Sequence, residues 1–554
     1  MSANVDNTAR TGGQALVDQL IHEGVRDIFG IPGVQLDWAV DALRRRSDAI
    51  RFIVPRHEQA TSYMADGYAR SSGREGVCMT VPGPGVLNAL SGLATAYACN
   101  SPVLLIAGQI PSAAIGRKLG LLHELPDQSR ILKSMTKWHA RANRPDEIPA
   151  LVNEAFIQLR SGRPRPVALE IPPDVLETRC ECSLVTRARS VPTQPSPQLI
   201  REAAELLERA RFPVIYAGGG CRAAGASQSV AALAEALQAP VVMTEGGRGT
   251  LDDRHPLALT TLGGRLLLPR ADVVLIVGSR FVDAQGVPPV TAPGAKLIYL
   301  NAEPIDMEGP RRAGLRIAGD ARLGTQGLLS GLNQAPRTPA TALVAKVKDW
   351  SRAQTDALRP QSEFIGALRA GMADEDILVS ELTQIGYFAN VAFPIHGERR
   401  LLTPGYQGTL GYGFNTAIGA AIGNADCRVV SINGDGGFGW GLQELATLAR
   451  HALNLTVIVF VDGRFGNVQR IQRRVFGAEF ATELQNPDYE LLARAHGIPG
   501  VTVDSPSSLE REIASARERG GPAFIAVRVG EMPSPWALIH PFVPPATPPP
   551  PDPL

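Results

Sequence analysis

Residues 433–468 read NGDGGFGWGLQELATLARHALNLTVIVFVDGRFGNV. They follow a short strand-like run at 428–432. A glycine turn comes next, then an amphipathic helical pattern over 443–451, and a second apolar strand at 455–461. The pattern predicts a βαβ unit, whose two parallel strands end on the same edge of a sheet. Asp435 and Asp462 stand at those two ends, far apart in sequence and near in space. Two carboxylates beside a loop of exposed N–H groups suit a hard divalent cation holding a diphosphate. Acidic turn residues on an ordinary doubly wound strand pair would read the same way. What favours the cation is that Gly436 and Gly437 free the backbone where an anion needs close approach.

The whole chain sets the frame for this unit. With 554 residues it is too long for one hydrophobic core and should divide into about three domains. Its 44% hydrophobic and 20% charged residues are those of a globular protein. The formal net charge of +1 gives no electrostatic case for nucleic acid or a membrane surface. No run reaches the roughly 18 apolar residues that a membrane span needs. The cysteines at 78, 99, 180, 182, 221 and 427 have no metal-ligand spacing, and scattered cysteines fit a reduced cytoplasm. The polar first residues lack the apolar core of a signal peptide. The expectation is a soluble cytoplasmic protein.

Two proline-rich stretches, TRARSVPTQPSPQ at 186–198 and NQAPRTPAT at 333–341, read as linkers. They predict an N-terminal domain over 1–185, a central domain over 199–332 and a C-terminal domain over 360–535. A proline-rich tail follows over 536–554. Each block alternates short Val/Ile/Leu/Ala strands (103–107, 214–217, 273–277, 429–432) with helices, the signature of parallel sheets covered on both faces. The expected fold is therefore α/β, three doubly wound domains with central parallel sheets. The tail after residue 539 cannot form a regular helix or a central strand. It reads as disordered, or as a segment lying across the site.

Further stretches join the opening motif: PRHEQA at 55–60 leading into ADGYAR at 65–70, GTLGYG at 408–413, and FGIPG at 29–33. Together they resemble the thiamin-diphosphate enzymes of the pyruvate decarboxylase and acetolactate synthase family. In that family a Gly-Asp-Gly is followed, beyond a helix and a strand, by Asn-Asn or a variant. The resemblance implies that Asp435, Asp462 and the backbone carbonyl of Arg464 bind magnesium, which bridges to the diphosphate. Val461 stands where the family carries its first Asn. Asp462 in place of the second Asn adds a negative charge, which should tighten the metal and repel the diphosphate slightly.

By the same resemblance Glu58 hydrogen-bonds the aminopyrimidine ring of the cofactor. A carboxyl there promotes the imino tautomer, whose nitrogen removes the thiazolium C2 proton. Glu58 should then be desolvated, with its pKa raised. Alone, the stretch would read as an ordinary charged first turn of a helix. Glyoxylate carboligase, one branch of the family, lacks this glutamate. Leu410 would wedge the two cofactor rings into a bent conformation, with the Gly408 carbonyl accepting from the pyrimidine amino group. Pro32 and Gly33 match the turn near the pyrimidine of the neighbouring subunit. Thr383 and Gln384 fall where relatives carry diphosphate-contacting residues, and Gly436, Gly437 and Phe465 complete the cofactor set. The family's sites are built from two chains, so the resemblance implies a homodimer or homotetramer with sites at the subunit interface. The first and third blocks correspond to its pyrimidine-binding and diphosphate-binding domains.

The substrate side departs from both best-known patterns. Pyruvate decarboxylases carry an acid after the Pro-Gly turn and then a His-His pair, where this chain has Val34 and His123-Glu124. Acetolactate synthases carry a Trp after the metal loop, where this chain has Ile471. Gln109 does match the synthases. His123 and Gln109 are therefore the further catalytic candidates, although a surface histidine on a loop would look the same. Asn467 and Ile471, spaced i, i+4 on a predicted helix, should line the pocket with Val34. Apolar lining favours loss of CO2 where water is excluded.

Glycine turns at 218–220 and 245–249 could cradle a nucleotide phosphate, but such turns alone are weak signals. Some family members hold FAD or ADP in the central domain. Thr261 to Arg265 departs from the flavin-contacting sequence, so FAD or ADP is not the leading expectation. The leading function is a thiamin-diphosphate- and magnesium-dependent enzyme acting on a small 2-oxo acid. It decarboxylates that acid, with release or carboligation of the enamine. The alternatives are an acyloin or diketone C–C lyase or hydrolase on the same cofactor, and a catalytically silent nucleotide-binding relative.

Overall fold

The computed structural model describes residues 8–554 apart from Ala188, Ser190, Pro310, Gln334, Ala335, Pro541, Phe542, Pro544 and Pro545. The N-terminal stretch, both proline-rich connections and the tail thus lie partly outside the described residues. Three six-stranded sheets, each parallel throughout, carry the chain. From edge to edge the first runs Arg51–Ile53, Asp27–Gly30, Gly76–Thr80, Val103–Gly108, Val167–Ile171 and Trp138–Arg141. The second runs Ala258–Thr260, Val241–Met243, Pro213–Ala217, Val273–Val277, Lys296–Asn301 and Leu315–Ala318. The third runs Leu401–Leu402, Ile377–Ser380, Val429–Gly434, Leu455–Val461, Ala523–Arg528 and Gly500–Val503. A two-stranded antiparallel ribbon joins Thr8–Thr11 to Arg179–Cys182.

Numbered along the chain, the first and third sheets share the strand order 2-1-3-4-6-5, whereas the middle sheet is 3-2-1-4-5-6. Inner strands such as Val103–Gly108 and Val273–Val277 are buried along their whole length. That is why they read as continuous apolar runs rather than as alternating ones. These sheets with their helices are the α/β, three-domain fold expected. Between Asp435 and Asp462 the helical stretch expected over 443–451 is present as a 3-10 turn Leu442–Glu444 running into the helix Leu445–Arg450. A short helix Asp435–Phe438 precedes it, and Gly439 and Gly441, of weak helix propensity, separate the two.

By packing, the chain forms two compact units. One comprises Met1–Val191, Gln407–Ala425 and Gly441–Leu453; the other comprises Pro192–Tyr406, Asp426–Trp440 and Asn454–Leu554. In the first unit the helices Glu58–Ser72 and Tyr412–Gly423 interlock backbone to backbone. A Cβ on Gly67 would lie 2.0 Å from the Thr416 carbonyl oxygen, and one on Gly419 would lie 1.8 Å from that of Met64. Only glycine fits at either point. In the second unit the helix Gln361–Gly371 packs beside Gln384–Ala392 and Pro506–Arg519. The first four residues of the segment read as a tail form a helical turn, Trp536–Ile539. The Trp536 ring meets Tyr387 edge-on at 4.5 Å, and the Arg265 guanidinium donates to the Ala537 carbonyl at 2.9 Å. Among the described residues no helix is long and apolar enough to cross a membrane.

Candidate active site

In the second unit the strand Val429–Gly434 pairs in parallel with Leu455–Val461, bringing Asp435 beside the turn that holds Asp462. Asp435 is 4% exposed. Its Oδ1 accepts from the Gly436 amide at 2.9 Å, and its Oδ2 accepts from the Gly463 amide at 2.8 Å. Oδ2 also accepts from Asn486 Nδ2 at 2.7 Å, and the Tyr489 hydroxyl donates to Asn486 Oδ1 at 3.1 Å. Asp462 Oδ1 accepts from the Arg464 amide at 3.3 Å. Burial, together with the neighbouring Asp435 charge, pushes the Asp462 carboxyl up to about 6. A buried carboxylate raised in part by an acidic neighbour forms a site that a cation would relieve.

The donor set fits magnesium in kind. No group of three His, Cys, Asp or Glu side chains is poised for a metal among the described residues. Magnesium, however, is commonly held by one or two carboxylates with phosphate and other oxygens completing its shell. The turn beside the acids is correspondingly tight. A Cβ on Gly436 would lie 2.7 Å from the Phe465 ring, and one on Gly437 would lie 2.2 Å from Glu381 Oε2. Thr383, a cofactor candidate, caps the helix Gln384–Ala392 by accepting from the Gly386 amide at 2.9 Å. Its methyl would lie 3.3 Å from a Cβ on Gly434, so this loop abuts the acid turn.

Arg464 donates from Nε to the Asp462 carbonyl at 3.0 Å and from a terminal nitrogen to Gln469 at 3.1 Å. The loop that follows Asp462 is backed by a segment that sequence reasoning missed. The Phe465 amide donates to the Thr482 carbonyl and the Leu484 amide to the Gly463 carbonyl, both at 2.8 Å. Asn467 and Ile471 lie on the helix Gly466–Phe476, as predicted, and share one face of it. Asn467 Oδ1 accepts from the Trp536 indole at 3.2 Å. On the same helix the buried Arg470 donates to Gln384 Oε1 at 2.9 Å and to the Met532 carbonyl at 2.5 Å. Gln384, read as a diphosphate contact, is thus engaged by Arg470.

In the first unit Glu58 opens the helix Glu58–Ser72, and His57 caps it, its ring accepting from the Gln59 amide at 3.2 Å. Glu58 Oε2 accepts from Asn88 Nδ2 at 3.0 Å. The carboxyl is half-buried in the single chain, short of the desolvation expected of it, because it stands on the first turn opposite the exposed Asn88. Behind it lies Glu444, fully buried and absent from the sequence-derived set. Glu444 Oε1 accepts from the Arg56 amide at 2.9 Å and the His57 amide at 3.1 Å. Its Oε2 accepts from the Arg56 amide at 3.1 Å and the Thr447 hydroxyl at 2.6 Å. Burial pushes this carboxyl above its ordinary range, and the Thr447 hydroxyl and the two amides oppose that shift.

Leu410 is 41% exposed, on a loop flanked by Gly408 at φ +55° and Gly411 at φ +78°. Both angles belong to the left-handed region that glycine adopts freely. Thr409 accepts from the Tyr63 hydroxyl at 3.4 Å. Pro32 and Gly33 follow the strand Asp27–Gly30, and Val34 beyond them is 64% exposed. The His123 ring lies 3.3 Å from Gln35 Oε1, so His123 reaches the turn that carries Val34. Gln109 stands elsewhere in character. Its amide nitrogen donates to the buried Glu170 at 2.8 Å, and its oxygen accepts from the Ile110 amide at 2.8 Å. Glu170 also meets His139 Nε2 at 2.8 Å. Both ends of the Gln109 amide are thus engaged within the protein. In the central domain the amides of Gly218 and Gly220 donate to the carbonyls of Val277 and Gly278, which accounts for that glycine turn by packing.

Three models of known protein families match the chain. Residues 10–131 match the thiamine pyrophosphate enzyme N-terminal TPP binding domain, residues 200–328 its central domain and residues 382–527 its C-terminal TPP binding domain. The chain belongs to the thiamin-diphosphate enzyme family, in its acetolactate-synthase-like part. It is 34% identical over 528 residues to a probable 2-ketoarginine decarboxylase of Pseudomonas aeruginosa, covering 94% of each chain. It is 32% identical to an acetolactate synthase of Arthrospira platensis, again covering 94% of each. It is 30% identical to the acetolactate synthase isozyme 1 large subunit of Escherichia coli, covering 97% of this chain and 96% of that one.

Proposed function

We propose that this protein is a thiamin-diphosphate- and magnesium-dependent enzyme that removes CO2 from a small 2-oxo acid. The observation that carries the reading is the buried Asp435 beside Asp462 at the ends of two paired strands, with a glycine turn between them. Asp435 and Asp462 hold the metal, with the Arg464 carbonyl as a third oxygen donor. Gly436, Gly437, Thr383 and Phe465 surround the diphosphate end. Thiamin diphosphate, when bound, supplies a carbanion that attacks the substrate carbonyl and accepts the electrons released with CO2. Glu58 holds a proton at the aminopyrimidine, and Leu410 and Gly408 shape the rings.

Val34, Asn467 and Ile471 line the substrate side and exclude water, and His123, tied to Gln35, handles a proton there. Among the relatives, one is named for decarboxylating 2-ketoarginine and others for making acetolactate. Ile471 in place of the synthases' Trp favours release of the decarboxylated product over its addition to a second 2-oxo acid. The protein works as a homodimer or homotetramer with its sites at the subunit interface. A reduced cytoplasm is the proposed setting, one that suits its free cysteines.

The test is a panel of 2-oxo acids that includes pyruvate and 2-ketoarginine, with CO2 and the organic product both quantified. CO2 with an equimolar aldehyde supports the reading. CO2 with a 2-hydroxy ketone shifts it to carboligation. No CO2 from any member, with cofactor bound, overturns it.

A further inference from the structure

Glu58 acts from the first turn of its helix, and that turn has an unusual support. The body of the helix is fixed by the glycine contacts of Gly67 and Gly419. Its entry is a separate problem. Backbone amides at a helix start have no partner within the helix, and their orientation is set by whatever accepts from them. Here the amides of Arg56 and His57, the two residues before Glu58, converge on one buried carboxylate, that of Glu444.

Glu444 is itself delivered by a rigid turn. It ends the 3-10 turn Leu442–Glu444, and Thr447, three residues on, clamps its second oxygen at 2.6 Å. Gly441, at the start of that turn, lies so close to Asn415 that a Cβ there would be 2.8 Å from its side-chain oxygen. The carboxylate therefore has little freedom. Through two amides it fixes the backbone at 56 and 57, and with it the direction of the Glu58 side chain.

The geometry assigns Glu444 as a positioning residue for Glu58: its buried carboxylate anchors the Arg56–His57 amides and so aims the Glu58 carboxyl. This rests on the proposed role of Glu58 in activating the cofactor. Glu444 itself touches neither cofactor nor substrate on this account. A carboxylate is suited to the task because it accepts several bonds at once, whereas an amide side chain of the same size brings its own N–H toward the Arg56 amide. Replacing it by Gln keeps one acceptor and should weaken the support, and replacing it by Ala removes it.

The experiment compares wild type, E444Q, E444A and E58Q, each loaded with thiamin diphosphate and Mg2+. Three quantities are read: deuterium exchange at the thiamin C2 position, the cofactor Kd, and the thermal midpoint. In the cofactor-free proteins, amide hydrogen exchange of the peptide spanning 52–63 is read as well. We expect E444A to slow C2 exchange about 10- to 100-fold and E444Q several-fold, with cofactor Kd changed less than about threefold. The 52–63 amides should exchange faster in both variants. C2 exchange within about twofold of wild type in E444A overturns the assignment, and so does a loss of cofactor affinity that parallels the loss of exchange. If E444A does not fold, E444Q is judged by the same criteria. Unchanged C2 exchange in E58Q would instead overturn the role of Glu58. Faster amide exchange at 52–63 in the Glu444 variants would then still identify the anchor.

Discussion

The first and third sheets have one strand order and differ in the acids that stand near them. Both run 2-1-3-4-6-5. Where the third sheet's paired strands Val429–Gly434 and Leu455–Val461 end, two acids neighbour each other: Asp435 is buried, and burial with the Asp435 charge pushes Asp462 up to about 6. In the first unit, by contrast, the candidate acid Glu58 stands half-buried on a helix start, its carboxylate accepting from Asn88. On the proposed reading, one strand order thus carries a cation-holding end in the third sheet and a cofactor-activating acid in the first unit. The difference lies in a few turn residues and not in the sheets, because strand packing constrains only the interior of each layer.

The largest expected effect breaks the cation-holding end. Replacing both Asp435 and Asp462 by Ala should abolish Mg2+-dependent binding of thiamin diphosphate, a loss of about 100-fold or more by titration calorimetry. Retained binding would make the pair ordinary turn residues. Next comes the scaffold in the first unit. Gly419→Ala places a Cβ 1.8 Å from the Met64 carbonyl oxygen and should cost about 3 kcal/mol or more of stability, visible as a lowered denaturation midpoint. Cofactor sites built on the second unit should feel this less than the first-unit groups do.

A smaller effect sharpens the contrast. Asn486→Ala removes the side-chain donor from Asp435 Oδ2 and should weaken Mg2+-dependent cofactor binding on the order of 10-fold. The smallest concerns protons. With its pKa raised, Asp462 holds a proton more tightly in the folded cofactor-free protein than in the unfolded chain. That contribution to stability is full below the ordinary value of 3.8 and is lost as pH rises through about 6. The thermal midpoint of the cofactor-free protein should therefore fall across that window by on the order of 2 °C more than in Asp462→Asn. Equal slopes for the two proteins would contradict the shift.

Much of this was legible in the sequence for a physical reason. Strand composition and glycine turns are local signals, so the paired strands that carry Asp435 and Asp462 could be read directly. The helix expected over 443–451 is legible from its apolar period and is present as Leu442–Glu444 and Leu445–Arg450, whereas the short helix Asp435–Phe438 carries no such period. Glu444, Asn486 and Glu170 were missed for a different reason. Each acts on a group distant in the chain, on the Arg56 and His57 amides, on Asp435 and on Gln109 respectively. A buried polar residue whose partner is supplied by the fold leaves no period or spacing to find. The one available hint was an acid, Glu444, set among apolar residues in LQELATL.

At the centre stands the proposed role of Glu58, the activation of a cofactor that the chain holds by other residues. Its most direct test is the rate at which the C2 proton of bound thiamin diphosphate exchanges for deuterium in wild type and in Glu58→Gln, at saturating Mg2+. Exchange should be slower by about 10²- to 10⁴-fold in the variant, with cofactor Kd within about threefold of wild type. Equal exchange rates in the two proteins, with cofactor bound in both, would contradict it.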